Sequence, residues 1–213
     1  MLLAIDEVPD RVIARWLAAL PDSAQTRAHA FRSARRYRQF VAARHLLTTL
    51  LREQLGSAVE IAAKPDGRPG IAGAEAYCSL AHSGSAVMAG FSLLGPVGVD
   101  IEQHRPRNFE RLVMTYFHPR EQKEFAALDR DQREPWFYRL WTRKEACAKA
   151  LGQGLTLKAL ASLVPGEGNH FALSSGVRQN YSFAVAHGGV AEVVPRVVSH
   201  EGAARLAGEE PFT

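Results

Sequence analysis

Apolar side chains recur at helical spacing between Asp10 and Leu20, where Val12, Ile13, Trp16, Leu17 and Leu20 share one face. Pro21 and Asp22 break that pattern. A longer amphipathic stretch predicts a helix over 35–55, with Phe40, Val41, Leu46, Leu47, Leu50, Leu51 and Leu55 on its core side and Gly56 as its C-terminal cap. The period then shortens. A strand is expected at 59–62, a turn-rich segment at 64–70, and two strands at 76–80 and 85–91 around Ala81-His82-Ser83-Gly84. After the Gly95-Pro96 turn, residues 97–102 alternate strictly: Val99 and Ile101 point one way, Asp100 and Glu102 the other. Helices are expected over 111–117, 119–128, 134–140 and 142–151, the last closed by Gly152 and Gly154. Strands near 171–173, 181–186 and 193–198 follow, and the last ten or so residues are expected to fray. No repeat of solenoid period occurs, and the natural division of the chain falls at 103–108.

The chain of 213 residues suits one globular unit or two small halves. Its apolar fraction of 46% and charged fraction of 23% are those of a folded protein rather than a disordered one. Two cysteines, Cys78 and Cys147, make neither a disulfide framework nor a zinc site. The apolar run at the N-terminus is too short for a signal peptide, and no stretch reaches membrane-span length. A cytoplasmic protein with no membrane partner is expected. The net charge of +4 is unevenly spread. Residues 23–52 hold no acid but carry Arg27, Arg32, Arg35, Arg36, Arg38, Arg44 and Arg52. Such a cluster draws an anionic partner (nucleic acid, an acidic protein or a phosphorylated small molecule) or else forms a solvated helix face.

Three constellations are equipped for chemistry. In Gly98-Val99-Asp100-Ile101-Glu102, two carboxylates project from one strand face with Cα atoms roughly 6–7 Å apart. Like charges on an otherwise apolar strand call for a compensating cation, and Mg²⁺ favours oxygen ligands; a solvated edge strand would need none. In Trp141-Thr142-Arg143-Lys144-Glu145-Ala146-Cys147-Ala148-Lys149-Ala150, Glu145 and Lys149 share a helix face, although Thr142 and Glu145 also fit a capping box. In Ala81-His82-Ser83-Gly84, a glycine-bearing turn with His and Ser could hold a phosphate, as could Lys64 upstream; both also read as ordinary turn residues.

The ordered set Arg44, Lys64-Pro-x-Gly-Arg-Pro, His82-Ser-Gly, Gly98-Val-Asp-Ile-Glu102, Phe117-x-x-x-Glu121 and Trp141-Thr-x-Lys-Glu145-x-x-x-Lys149-Ala-x-Gly-x-Gly-Leu155 resembles the Sfp-type 4′-phosphopantetheinyl transferases. The resemblance runs from about Arg35 to about Ala186. It implies an α+β fold of two similar subdomains, 1–103 and 104–213, joined as a monomeric pseudo-dimer with the active site in the cleft between them. It implies transfer of 4′-phosphopantetheine from coenzyme A to a serine of an acyl or peptidyl carrier protein, leaving 3′,5′-ADP. Asp100, Glu102 and Glu145 look like ligands of Mg²⁺, or of Mn²⁺ in its place. Lys149 looks like the contact to the pyrophosphate, and Arg44, His82 and Ser83 like contacts to the 3′-phosphate, with Lys64 also near the coenzyme. Glu121 matches a glutamate close to the metal, as support or base. The serine proton then goes to Glu145, to Glu121 or to a water at the metal. The family often has Ser where Ala81 stands, so one hydroxyl donor is missing, and its lysines near the adenine have no lysine counterpart here. Three rival readings compete with this one. A nucleic-acid module lacks a recognised motif and leaves the carboxylates unexplained. A metal-dependent phosphodiesterase would also use clustered carboxylates, and an inactive homologue would only bind the carrier.

Overall fold

The computed structural model describes residues 1–55, 61–63, 69–71, 76–152, 156–167, 171–188 and 196–198. The expected cap Gly56, Lys64 and the closing Gly154 lie outside them. The chain is a mixed α+β protein that separates into two compact units, Met1–Leu93 with Val194–Thr213, and Leu94–Val193.

The first unit contains β1 (Leu2–Ala4), α1 (Asp10–Ala18), α2 (Asp22–His29), α3 (Ala34–Leu55), β2 (Ile61–Ala63), β3 (Pro69–Ile71), β4 (Tyr77–Ser83) and β5 (Ala86–Ser92). β2 and β3 form a separate antiparallel pair. The apolar stripes of α1 and α3 meet as the sequence predicts: Val12, Ile13, Trp16, Val41, Leu46, Leu47 and Leu51 are all buried in one core with Val87 and Ala89 of β5. α2 is legible in the sequence only as a break. Pro21 is in fact its N-cap and Asp22 opens its first turn, but only Ala28 is buried, so no apolar period marks the helix. β4 and β5 form an antiparallel hairpin in register Ser83↔Ala86, so the turn is Gly84-Ser85. Gly84 has φ 55°, which suits the tight two-residue connection. His82 and Ser83, expected in a loop, therefore stand on β4.

The second unit contains β6 (Val97–Gln103), α4 (Phe109–Tyr116), α5 (Pro119–Ala126), α6 (Arg130–Ala150), α7 (Leu157–Ser162), β7 (Phe171–Arg178) and β8 (Tyr181–Gly188). The short β9 (Val197–Val198) returns to the first unit, parallel to β1, giving the order β4-β5-β1-β9. β6, which the sequence reading puts at the end of a half closing at residue 103, belongs to the second unit because its ladder partner is β8, in the antiparallel order β6-β8-β7.

α6 is one helix of 21 residues where two are expected from sequence. Pro135 lies inside it and forgoes a backbone donor, yet flanking packing holds the helix together. Its first half sets Trp136, Phe137 and Tyr138 against Val113, Phe117 and Phe125. Its second half sets Ala146, Cys147 and Ala150 against Ala184 and Ala186. Burial pushes the Cys147 thiol up to about 11. These small side chains let α6 come so close to β6 that a Cβ on Gly98 would sit 1.9 Å from the Ala146 carbonyl oxygen and 2.6 Å from the Ala150 nitrogen. Thr142 is fully buried in mid-helix and donates to the Tyr138 carbonyl at 2.9 Å, so it caps nothing.

A buried ion pair fastens α6 to its neighbours. Lys144, 1% exposed, meets the Glu121 carboxylate of α5 at 2.7 Å. The same ammonium donates to the carbonyls of Leu160 and Leu163 around the end of α7. Glu121 also accepts from the His118 backbone N–H at 2.9 Å, completing the capping box that starts α5. Burial lowers the Lys144 pKa, and Glu121 opposes that shift. Among the described residues no helix is long and apolar enough to cross a membrane.

Gly98→Ala should lower stability by about 3 kcal/mol or more, since its methyl meets helix backbone that has no rotamer to yield; urea unfolding would measure it, and a change under 1 kcal/mol would mean that α6 can back away freely. Glu121→Gln and Lys144→Met should each cost about 3–5 kcal/mol by stranding a buried charge, and the double variant should cost less than their sum. Additive losses in the same unfolding experiment would deny the coupling.

Candidate active site

β6 and α6 bring the acidic residues of two separate motifs together. Strand alternation aims Asp100 and Glu102 to one side of β6, and the close approach at Gly98 places Glu145 of α6 beside them. One ligand atom from each of Asp100, Glu102 and Glu145 lies within 4.8 Å of the others. Asp100 is 3% exposed, and burial raises its pKa well above the usual carboxylate range; Lys149 opposes the shift while Glu145 and Glu102 add to it.

Lys149, one turn after Glu145, donates to Asp100 Oδ1 at 2.7 Å and to the Val99 carbonyl at 3.0 Å, and stands 3.9 Å from Glu145 Oε2. Asp100 Oδ2 is buried and has no hydrogen-bond partner among the described residues. A buried carboxylate oxygen left over beside two more carboxylates is the donor set that a hard divalent cation takes. The residues present fit such an ion.

Glu121 is expected from sequence near this group. Its Oε2 meets the Lys144 ammonium and the His118 N–H, while its Oε1 is buried with no hydrogen-bond partner among the described residues. The motif lysine Lys144, to which the sequence assigns no role, is what holds it. Arg107 is a further residue that sequence reasoning does not single out. It lies in the loop after β6 with its guanidinium 3.6 Å from Glu102 Oε2, and no motif marks it.

Of the expected coenzyme contacts, Arg44, His82 and Ser83 are described residues of the first unit. Arg36, Phe40 and Arg44 recur every fourth residue along α3 and so share a face. Arg44 is buried, with its guanidinium 5.4 Å from the Phe40 ring centroid, and Arg27 of α2 approaches the same ring at 5.7 Å. Burial and then the Arg27 charge lower the Arg44 pKa. Arg44 also lines a cavity of about 280 Å³ with Arg52, Thr48, Leu20, Pro21 and Ala24. At the other end of the row, an Arg36 N–H donates to His82 Nε2 at 3.3 Å. Ser83, next along β4, pairs with Ala86. Arg38, by contrast, is occupied internally: it pairs with Asp10 and donates to the carbonyls of Ile5 and Val8. Guanidiniums crowded around one ring repel each other, and an anion joining them would relieve that repulsion.

The chain is similar in sequence to known proteins. Residues 96–185, which hold β6 and α6, match the family model of the 4′-phosphopantetheinyl transferase superfamily. A Synechocystis sp. protein provisionally named a 4′-phosphopantetheinyl transferase is 28% identical over 82% of this chain and 82% of its own. The 4′-phosphopantetheinyl transferase HetI of Nostoc sp. is 30% identical over 69% of this chain and 65% of its own. The 4′-phosphopantetheinyl transferase Sfp of Bacillus subtilis is 35% identical over a shorter stretch, 39% of this chain and 36% of its own. The matched span contains all three carboxylates and Lys149, so it is over the acidic site that the chain is similar to the 4′-phosphopantetheinyl transferase superfamily.

Proposed function

We propose that this protein moves the 4′-phosphopantetheine group of coenzyme A onto a serine hydroxyl of an acyl or peptidyl carrier protein and releases 3′,5′-ADP. The observation that carries this reading is the convergence of Asp100, Glu102 and Glu145 beside Lys149, drawn from two well-separated motifs in a matched span.

The three carboxylates would hold a divalent cation of the Mg²⁺ or Mn²⁺ kind, which supplies positive charge to a pyrophosphate leaving group. Lys149 adds a second positive charge at the same place and keeps Asp100 oriented through Oδ1. The serine oxygen forms a bond to the phosphorus that bears pantetheine, the bond from that phosphorus to the bridging pyrophosphate oxygen breaks, and the electron pair leaves with 3′,5′-ADP. The serine proton goes to Glu145. Asp100 and Glu121 are both sealed by burial, while the Glu145 side chain is 16% exposed. General-base help of this kind gives about 10²–10⁴-fold. The 3′-phosphate of the coenzyme is neutralised by Arg44 and His82, with Ser83 and Lys64 as further contacts.

Incubation of apo carrier proteins with coenzyme A and Mg²⁺ should add about 340 Da to the carrier, and chelator, Asp100→Ala or Glu145→Ala should abolish the gain without unfolding the protein. Intact-mass spectrometry reads the result; no gain on any carrier together with no coenzyme A binding would overturn the reading. Arg44→Ala should raise KM for coenzyme A at least about tenfold more than KM for the carrier, as loss of a phosphate contact predicts. Equal changes in steady-state kinetics would take Arg44 out of the coenzyme site.

A further inference from the structure

The carboxylate group has a second cation, and it lies outside the family motifs. Arg107 reaches Glu102 from the loop after β6, with Nη2 3.6 Å from Oε2 and about a third of its side chain exposed. This loop arginine does not simply wander. Its guanidinium lies 5.7 Å from the centroid of the Tyr138 ring. Tyr138 is itself pinned: its hydroxyl donates to the Arg105 carbonyl at 3.0 Å and accepts from the Arg105 backbone N–H at 2.8 Å. His104 also stacks on Tyr138, at 4.4 Å, and is joined to Ser182 Oγ at 2.8 Å. Ser182 is the β8 residue directly opposite Glu102 in the ladder. Loop, helix and strand thus combine to hold a guanidinium against one of the three carboxylates.

The division of labour among the cations follows. Lys149 serves Asp100 closely and Glu145 more loosely, and Arg107 serves Glu102. A divalent ion taken by the three carboxylates would draw Glu102 away from the guanidinium and would feel its positive charge at short range.

We propose that Arg107 is a competing cation at this site, pairing with Glu102 while no metal ion is bound and so weakening the uptake of divalent cations by the free protein. The inference rests on the metal reading of Asp100, Glu102 and Glu145. Arg107 acts through Glu102 and is a positioning residue. The protein then holds metal loosely until the pyrophosphate brings further negative charge, so that metal and coenzyme tighten each other's binding.

The test is Mn²⁺ binding to the purified protein without coenzyme, followed by electron paramagnetic resonance of the free ion at low ionic strength. Arg107→Met should bind Mn²⁺ about three- to tenfold more tightly than wild type, a modest factor because the pair is partly exposed. The gain should shrink as salt is raised. Arg107→Lys keeps the charge and should stay near wild type, and in a Glu102→Gln background the Arg107→Met gain should largely vanish. Unchanged or weaker Mn²⁺ binding in a folded Arg107→Met protein would overturn the role of Arg107 alone. Uptake by neither wild type nor Arg107→Met would remove the metal reading and this inference with it.

Discussion

The site depends on how closely a helix can approach a strand. α6 lies against β6 at a distance that only a glycine at position 98 allows, over a face of α6 built from Ala146, Cys147 and Ala150. Larger side chains there would lift the helix by ångströms, and Glu145 and Lys149 would leave the neighbourhood of Asp100 and Glu102. The motif spacing in the sequence is therefore half of a constraint; the other half is the set of small residues that lets the two motifs meet. Glycine at 98 and the alanines of α6 act on the site without touching any reacting group.

Bringing three carboxylates to one place beside a core is electrostatically costly, and the surrounding residues show how the cost is met. Lys149 lies within reach of two of them and Arg107 of the third. Around the corner of the helix, Lys144 and Glu121 form a second buried pair, in which Glu121 Oε2 takes the ammonium and the start of α5 while Lys144 also donates to the end of α7. Adjacent residues of one helix, Lys144 and Glu145, thus have opposite tasks. One is sealed and structural; the other stays partly accessible at the edge of the site.

Much of this is legible in the sequence because the strongest elements carry strong periods. The α3 stripe and the alternation of β6 appear where the patterns place them, and the three acidic ligand candidates come together. What escapes has a physical reason in each case. α2 buries a single alanine and has no stripe to read. Pro135 argues for a helix break, but the aromatic packing of Trp136, Phe137 and Tyr138 outweighs one lost backbone bond. His82 reads as a loop residue because Gly84 follows it closely, whereas the hairpin turns within two residues. Glu121 occupies a motif position that does not name its partner, since nothing in a linear pattern pairs residue 121 with residue 144. Arg107 has no pattern at all; only the folding of the loop onto Tyr138 brings it to Glu102.

The two cysteines acquire a meaning from the chemistry proposed for the protein. Coenzyme A carries a free thiol, and a protein that handles it on every turnover meets a standing opportunity for mixed-disulfide formation. Such exchange needs an accessible thiolate. Cys78 and Cys147 are both buried, and Cys147, packed with Ala184 and Ala186 of β8, the ladder partner of β6, has its thiol pushed up to about 11. At neutral pH it is a protonated, enclosed sulfur that behaves as a small apolar side chain. The close helix–strand contact that assembles the acidic site therefore also keeps its own sulfur out of the redox traffic of its donor, and the protein can work beside an oxidisable cofactor without becoming a target of it.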